Sequence, residues 1–298
     1  MSAIDYKCCT LCPRECKADR TTSVGFCGMT DKLTVAKVMV HTSEEPCVSG
    51  TRGSGAVFFS GCTLRCAFCQ NHQISHERFG REISTLRLSN IMLELQDKGV
   101  HNINLVSASH FYPSVAESLE IIKEKLDIPV VWNTGGYEKL DAIDRIGEYC
   151  DVYLQDLKFY SRELSQKYAL CKDYFEHAIT STKKMVEQKG KPVIDDEGII
   201  KSGVILRHLV LPSNRRDSIA LLDRLADSVG CDNIILSLMS QYTPPSFDTG
   251  YRELGRRLTD FEYSSVCEYA IKLGFDGYFQ DRLSAQSTYT PTFDLEGV

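Results

Sequence analysis

Six short apolar runs recur along the chain, each followed by a stretch with helical spacing, and this alternation restricts the fold more than any other feature. The runs are GAVFFSG at 55–61, NINLV at 102–106, PVVWN at 129–133, DVYLQ at 151–155, GVILRHLVL at 203–211 and NIILSLM at 233–239. Short apolar runs bounded by turn residues read as buried strands. The intervening stretches 88–99, 114–126, 139–149, 173–190, 217–230 and 262–274 read as helices; in the first, Ile91, Leu95 and Gly99 stand about one turn apart. Strand and helix in repeated alternation predict an α/β fold, a parallel sheet with helices outside. Right-handed crossovers curl such a sheet toward a (β/α) barrel, open or closed.

Residues 1–53 read as a cysteine-rich, polar segment, 54–283 as the barrel and 284–298 as a tail forming an irregular edge. The stretch 190–203 reads as a loop or small hairpin. A net charge of -6 argues against a generic nucleic-acid binder. No apolar run approaches the ~20 residues of a membrane span, and MSAIDYKCC is not a secretory leader, so a cytoplasmic protein is expected. Thirteen cysteines, an odd number crowded toward the N-terminus, then read as metal ligands before disulfides.

Directly after the first predicted strand comes GCTLRCAFCQN, at 61–71. Cys62-x3-Cys66-x2-Cys69 offers three thiolates in eight residues, enough to wrap one face of a cuboidal iron–sulfur cluster. Three ligands on four irons leave one iron open, and an open position marks a reactive metal site rather than a closed structural one. A structural zinc knuckle, with His72 as a fourth ligand, or cysteines buried without a metal are the bland alternatives. The position, on a loop leaving a strand, suits catalysis at a barrel rim.

Cys62-x3-Cys66-x-Phe68-Cys69, with an aromatic just before the third cysteine, resembles the hallmark of the radical S-adenosylmethionine (SAM) superfamily. The wider series GSGAVFFSGCTLRCAFCQNHQIS, NINLVSASHFYP, NTGGYE, QDLKF, RHLVLP and SLMSQY resembles, in order, the pyruvate formate-lyase activating enzyme family, whose members are glycyl radical activase-like. The resemblance implies a partial (β/α)6 barrel and a [4Fe-4S] cluster on Cys62, Cys66 and Cys69. It further implies reductive cleavage of SAM to a 5′-deoxyadenosyl radical, hydrogen abstraction from a substrate such as the glycine of a glycyl radical enzyme, and an electron donor such as flavodoxin or ferredoxin. Modification of RNA, a small metabolite or another protein is the alternative within the superfamily. A metal scaffold or electron carrier without turnover is the alternative outside it.

The resemblance also suggests SAM contacts. Ser107, Ser109 and His110, in SASHF, stand where relatives meet the methionine amino group, although the usual Gly-Gly-Glu is absent; a polar turn capping the next helix explains them equally well. Asn133, in WNTGG, is a candidate for the SAM carboxylate or ribose. Asp156 and Lys158, in QDLKF, are alternate residues and share a face; a buried ion pair is their structural alternative. Arg207 and His208 are neighbours on one strand and point opposite ways, with Arg207 expected inside as an anion contact and His208 in the core. Gln241 and Tyr242 stand where relatives meet ribose or adenine.

Cys9-x2-Cys12-Pro13-x2-Cys16-x10-Cys27 forms a second constellation, with Cys8 able to replace Cys9. Four thiolates suit a closed zinc site or a second [4Fe-4S] cluster, and spacing alone leaves both open. Arg14 and Arg20 either face that metal's negative charge or lie in solvent. Glu44 and Glu45, before Pro46, read as a solvated turn. The absence of Gly-x-Ser-x-Gly removes one route to hydrolase chemistry.

Overall fold

The computed structural model describes residues 6–280 and 291–298. Among these, ten strands form one sheet in the order β3-β1-β2-β4-β5-β6-β8-β9-β10, with β7 attached to β8. The six predicted strands are β2 (Ser54–Phe59), β4 (Ile103–Val106), β5 (Val130–Thr134), β6 (Val152–Asp156), β8 (Ile200–Leu209) and β9 (Ile235–Met239). They pair in parallel, and β10 (Gly277–Phe279) adds a short parallel strand beside β9. This is a partial barrel of the (β/α) kind. The predicted helices are α3 (Thr85–Asp97), α4 (Tyr112–Ile122), α5 (Leu140–Gly147), α7 (Tyr174–Lys189), α8 (Arg215–Val229) and α9 (Asp260–Leu273). β7 (Val193–Ile194) folds back antiparallel on β8 as a small hairpin.

Register separates the two faces of the sheet. Leu105, Trp132, Tyr153 and Leu206 point outward into the main core, where Leu88 and Ile91 of α3, Leu119 of α4, Ile143 of α5 and Leu222 of α8 meet them. Each such side chain contributes roughly 1.5–3 kcal/mol over its exposed state. The helix ends are set locally. Ser84 accepts from the Arg87 amide to start α3, and Thr259 with Glu262 forms a capping box on α9. On the inner face Val131, Val152, Leu154 and Ile205 form a separate cluster with Cys47 and Val48. Those last two belong to α1 (Pro46–Ser49), a single helical turn that plugs the barrel at the end where β2 begins.

One strand lay hidden in the segment grouped as cysteine-rich. β1 (Thr34–His41) pairs antiparallel with β2 and with β3 (Arg81–Glu82), so 34–41 is part of the same sheet. Its far edge is also met by the chain's last residues: the Val38 amide donates to Glu296 O at 2.9 Å and the Leu295 amide to Ala36 O at 3.2 Å. Phe293 packs edge-on against Phe58 at 5.6 Å. Residues 281–290, which include all of the expected tail before Pro291, lie outside the described residues.

Candidate functional site

The three-cysteine loop starts where β2 ends. Gly61 has φ +81°, and a Cβ there would come within 2.3 Å of Met29 Cγ and 2.8 Å of the Cys27 carbonyl oxygen. Glycine is therefore required for the loop to pass against the N-terminal segment. The loop is then held from several sides. The Ala67 amide donates to Tyr168 O at 2.8 Å, with Tyr168 on α6 (Arg162–Ala169). Phe68 is buried, with ring edges or faces of Phe159, Tyr168 and Tyr242 at 6.1–6.5 Å. The aromatic of the hallmark thus anchors the loop by packing.

Cys66 is buried and Cys62 and Cys69 are half-buried, and selected donors reach the thiols. The Leu64 amide donates to Cys62 Sγ at 3.4 Å, and the Ser75 hydroxyl, at the end of α2 (His72–Ser75), donates to Cys69 Sγ at 3.2 Å. Burial pushes the Cys62 thiol up to about 11 and raises Cys66 and Cys69 as well. A metal must displace those protons to bind. The Lys158 ammonium opposes the rise at all three cysteines. Among the described residues no three Cys, His, Asp or Glu side chains close on a single-ion site. A cuboidal cluster does not ask for that, because each thiolate binds a different iron, and three soft sulfur donors on one short loop fit such a cluster.

Asp156, Arg207 and Ser237 stand side by side on β6, β8 and β9, in the inward-facing set that includes Leu154 and Ile205. Lys158 Nζ lies 2.5 Å from Asp156 Oδ2. Burial alone would lower the lysine pKa, but Asp156 and Cys66 more than offset it and hold the ammonium charged. Arg207 is held by Glu45 at 2.8 and 2.7 Å and by Glu44, and Asn104 of β4 donates to Glu44 at 2.8 Å. The solvated turn expected at Glu44 and Glu45 is therefore wrong. Glu45 is only 8% exposed, because α1 carries the turn into the barrel, where Arg207 supplies the compensating charge. His208 faces the other way, bonded to Leu157 O and to Ser218 of α8 at 2.7 and 2.8 Å.

The remaining candidates divide. Asn133 is buried on the inner face and its carbonyl accepts from the Ser107 amide at 2.8 Å. Ser107 itself takes a left-handed φ of +60°. Ser109 donates to Glu138 together with Thr134, and burial raises the Glu138 pKa. His110 bonds Ser60 O at 2.7 Å and its carbonyl accepts from Arg20 at 2.9 Å, which places it between the loop and the N-terminal segment. Gln241 accepts from Gln280 at 3.0 Å. Tyr242 donates to Leu254 O at 2.7 Å beneath Phe68. Sequence reasoning missed Ser75 and Glu138. Only their nearness to the cysteine loop and to WNTGG marked them.

The N-terminal segment is stitched to the loop. The Cys62 amide donates to Cys27 O at 3.2 Å, Arg14 to Thr63 O at 2.9 Å and Arg65 to Phe26 O at 3.2 Å. Both guanidinium groups lie over the Phe26 ring, at 4.0 and 5.4 Å. Cys9, Cys12, Cys16 and Cys27 are near enough that charge on the other three raises Cys12, which burial already pushes up to about 12.

A family model for the radical SAM superfamily matches residues 56–225, from β2 into α8. The chain belongs to the radical SAM superfamily. Members use SAM with a [4Fe-4S] cluster. An uncharacterized protein of Methanocaldococcus jannaschii is 29% identical over 283 residues, covering 91% of this chain and 76% of that protein. Among solved structures, Streptococcus suis SuiB bound to precursor peptide SuiA has TM-score 0.50 at 15% identity, covering 71% of this chain and 43% of SuiB. The chain thus spans less than half of SuiB, and the likeness is one of fold. A domain of pyruvate-formate lyase-activating enzyme from Bacteroides vulgatus has TM-score 0.42 and 12% identity, covering 57% of this chain and 91% of that domain. That likeness is too loose to carry the activating role. No helix among the described residues is long and apolar enough to cross a membrane.

Proposed function

We propose that this radical SAM protein abstracts a hydrogen atom from a protein or peptide, with the glycine of a glycyl radical enzyme as the leading candidate. The observation that carries the chemistry is the three-thiol loop at the carboxyl end of β2, with the Lys158 ammonium beside it. The cluster and SAM, when bound, supply reductive sulfonium cleavage and hydrogen abstraction. The chain's own part is to hold and shield. Cys62, Cys66 and Cys69 bind, and Phe68 pins the loop. Asp156 and Lys158 offer charge toward the amino acid end of SAM, and Asn133 an amide. Gln241 and Tyr242 stand on the loop after β9, the adenosine side.

The peptide reading draws on the activase-like motif series and on the fold shared with SuiB, whose structure holds a precursor peptide. Cys9, Cys12, Cys16 and Cys27 take a second metal in this reading, zinc or a second [4Fe-4S] cluster. A carrier such as flavodoxin or ferredoxin supplies the electron. Thirteen unpaired cysteines suit the cytoplasm.

Anaerobic reconstitution followed by reductive SAM cleavage tests the proposal. Wild type should form 5′-deoxyadenosine, and alanine at Cys62, Cys66 or Cys69 should abolish it while the apo protein keeps its far-UV circular dichroism. Retention of cleavage in those variants refutes the chemistry. Electron paramagnetic resonance with a candidate glycyl radical enzyme from the same host should show a glycyl doublet, and its absence with every such partner removes the activase form.

A further inference from the structure

We propose that Cys9, Cys12, Cys16 and Cys27 form a tetrathiolate metal centre whose negative charge is balanced by the buried guanidinium of Arg20. Arg20 is 0% exposed. Its donors go to the carbonyls of Met29, Thr30 and His110, at 2.5–3.2 Å, and to Cys9 Sγ at 3.7 Å. Tyr6 and Phe111 flank it at 5.5 and 5.6 Å. No carboxylate among the described residues pairs with it. A buried cation without an anion is expensive, and native proteins supply the partner. Four neutral thiols supply none. Four thiolates on an oxidised [4Fe-4S] cluster carry a net charge of about minus two, and one of the four sulfurs already lies against Arg20. The sulfurs do not close on a single ion, which favours a cluster over zinc.

The backbone agrees. Glu15 and Lys17, on either side of Cys16, take left-handed φ values of +39° and +54°, which non-glycine residues adopt only when their surroundings impose it. The Glu15 amide donates to Cys12 O and the Lys17 amide to Cys9 O, each at 3.0 Å, so the turn folds Cys16 back toward its partners. A Cβ on Gly25 would stand 3.4 Å from Cys16 Sγ and 3.5 Å from Cys27 Sγ. Both sulfurs therefore stand on the same small residue. Cys8 and Cys16 are both exposed, but Cys16 Sγ stands beside Gly25 with Cys27 Sγ. Cys8 instead lies on the turn Tyr6–Cys8, and it is the neighbouring Cys9 whose Sγ meets Arg20, so Cys9 is the ligand. The Cys27 carbonyl also accepts from the Cys62 amide, which ties this centre to the radical cluster loop.

This inference deepens the second-metal reading given above, and its test removes the first cluster so that the two fail separately. The full chain carrying Cys62→Ala, Cys66→Ala and Cys69→Ala is purified anaerobically, reconstituted with iron and sulfide or with zinc, desalted and analysed. Retention of one zinc, or of four irons with four sulfides, per chain supports the proposal and says which metal fills it. No retained metal overturns it. In the same background Cys9→Ser should lose the metal and Cys8→Ser keep it, and the reverse overturns the ligand set. Arg20→Gln should weaken retention against a chelator roughly 10–100-fold, and Arg20→Lys, which keeps the charge, should recover most of it. Equal loss in both Arg20 variants would reduce Arg20 to a packing residue and refute the charge balance.

Discussion

Arg207 of β8 grips both carboxylate oxygens of Glu45, at 2.8 and 2.7 Å, from the middle of the barrel to its plugged end. Burial alone would raise the Glu45 pKa, but the Arg207 charge overrides that and lowers it. Removing one partner of a buried pair costs about 3–5 kcal/mol, and Arg207→Met strands two carboxylates. We expect the apo variant to unfold at much lower urea concentration at pH 7. The sign with pH follows from the depressed value. The pair's stabilisation is complete above the ordinary glutamate value of 4.5 and is lost as pH falls through the folded value. The gap in stability between wild type and variant should therefore narrow on acidification, and a constant gap would contradict the pairing.

Ser75 tunes the cluster loop through its hydroxyl on Cys69 Sγ. Hydrogen bonds to cluster sulfurs stabilise the reduced state. Ser75→Ala should shift the midpoint potential of the reconstituted cluster downward, with Ser75→Thr near wild type, in a redox titration followed by electron paramagnetic resonance. An unchanged potential in the alanine variant would show that the bond does not persist in the loaded protein.

Lys158 is the cation nearest the loop that the structure ties to an inward carboxylate. If it meets the SAM carboxylate, loss of one charge-assisted hydrogen bond is worth about 1.5–3 kcal/mol. Lys158→Met should then weaken SAM binding about 10- to 100-fold in equilibrium dialysis, at unchanged iron content. Loss of iron with no separate loss of SAM affinity would move Lys158 from SAM to the cluster loop.

Glu138 is 3% exposed, and its pKa is raised by burial in spite of hydrogen bonds from Ser109 and Thr134. The folded state therefore prefers the protonated acid, and stability falls as pH rises above the ordinary value of 4.5 toward the folded value. Glu138→Gln, neutral throughout, should lack that component. Thermal unfolding of the two apo proteins from pH 4.5 to 8 should show the variant gaining relative to wild type, and a parallel pair of curves would count against a buried acid.

The legible parts of this fold were those written in local pattern. Six inner strands and their helices announce themselves because each strand holds a short, mostly apolar run and each helix keeps a stripe such as Leu88, Ile91, Met92 and Leu95. Cys62, Cys66 and Cys69 were legible because eight residues contain the whole motif. β1 was not, since TVAKVMVH places a lysine among its apolar residues, and that lysine is paid for by Asp294 and Glu296, far along the chain. Glu44 and Glu45 looked like solvent residues for the same reason: their partner is 162 or more positions away. Arg20 carried no sequence signal beyond lying between cysteines.

The strip of residues 294–296 along β1 has a consequence for how the molecule is completed. Lys37 and Asp294 are separated by 257 positions, so β1 cannot be fully sheathed until residues 294–296 have docked. Contacts that distant form slowly, and an unsheathed strand edge recruits other chains. Damage confined to that short terminal strip should therefore surface as clumping during refolding, well away from any cysteine.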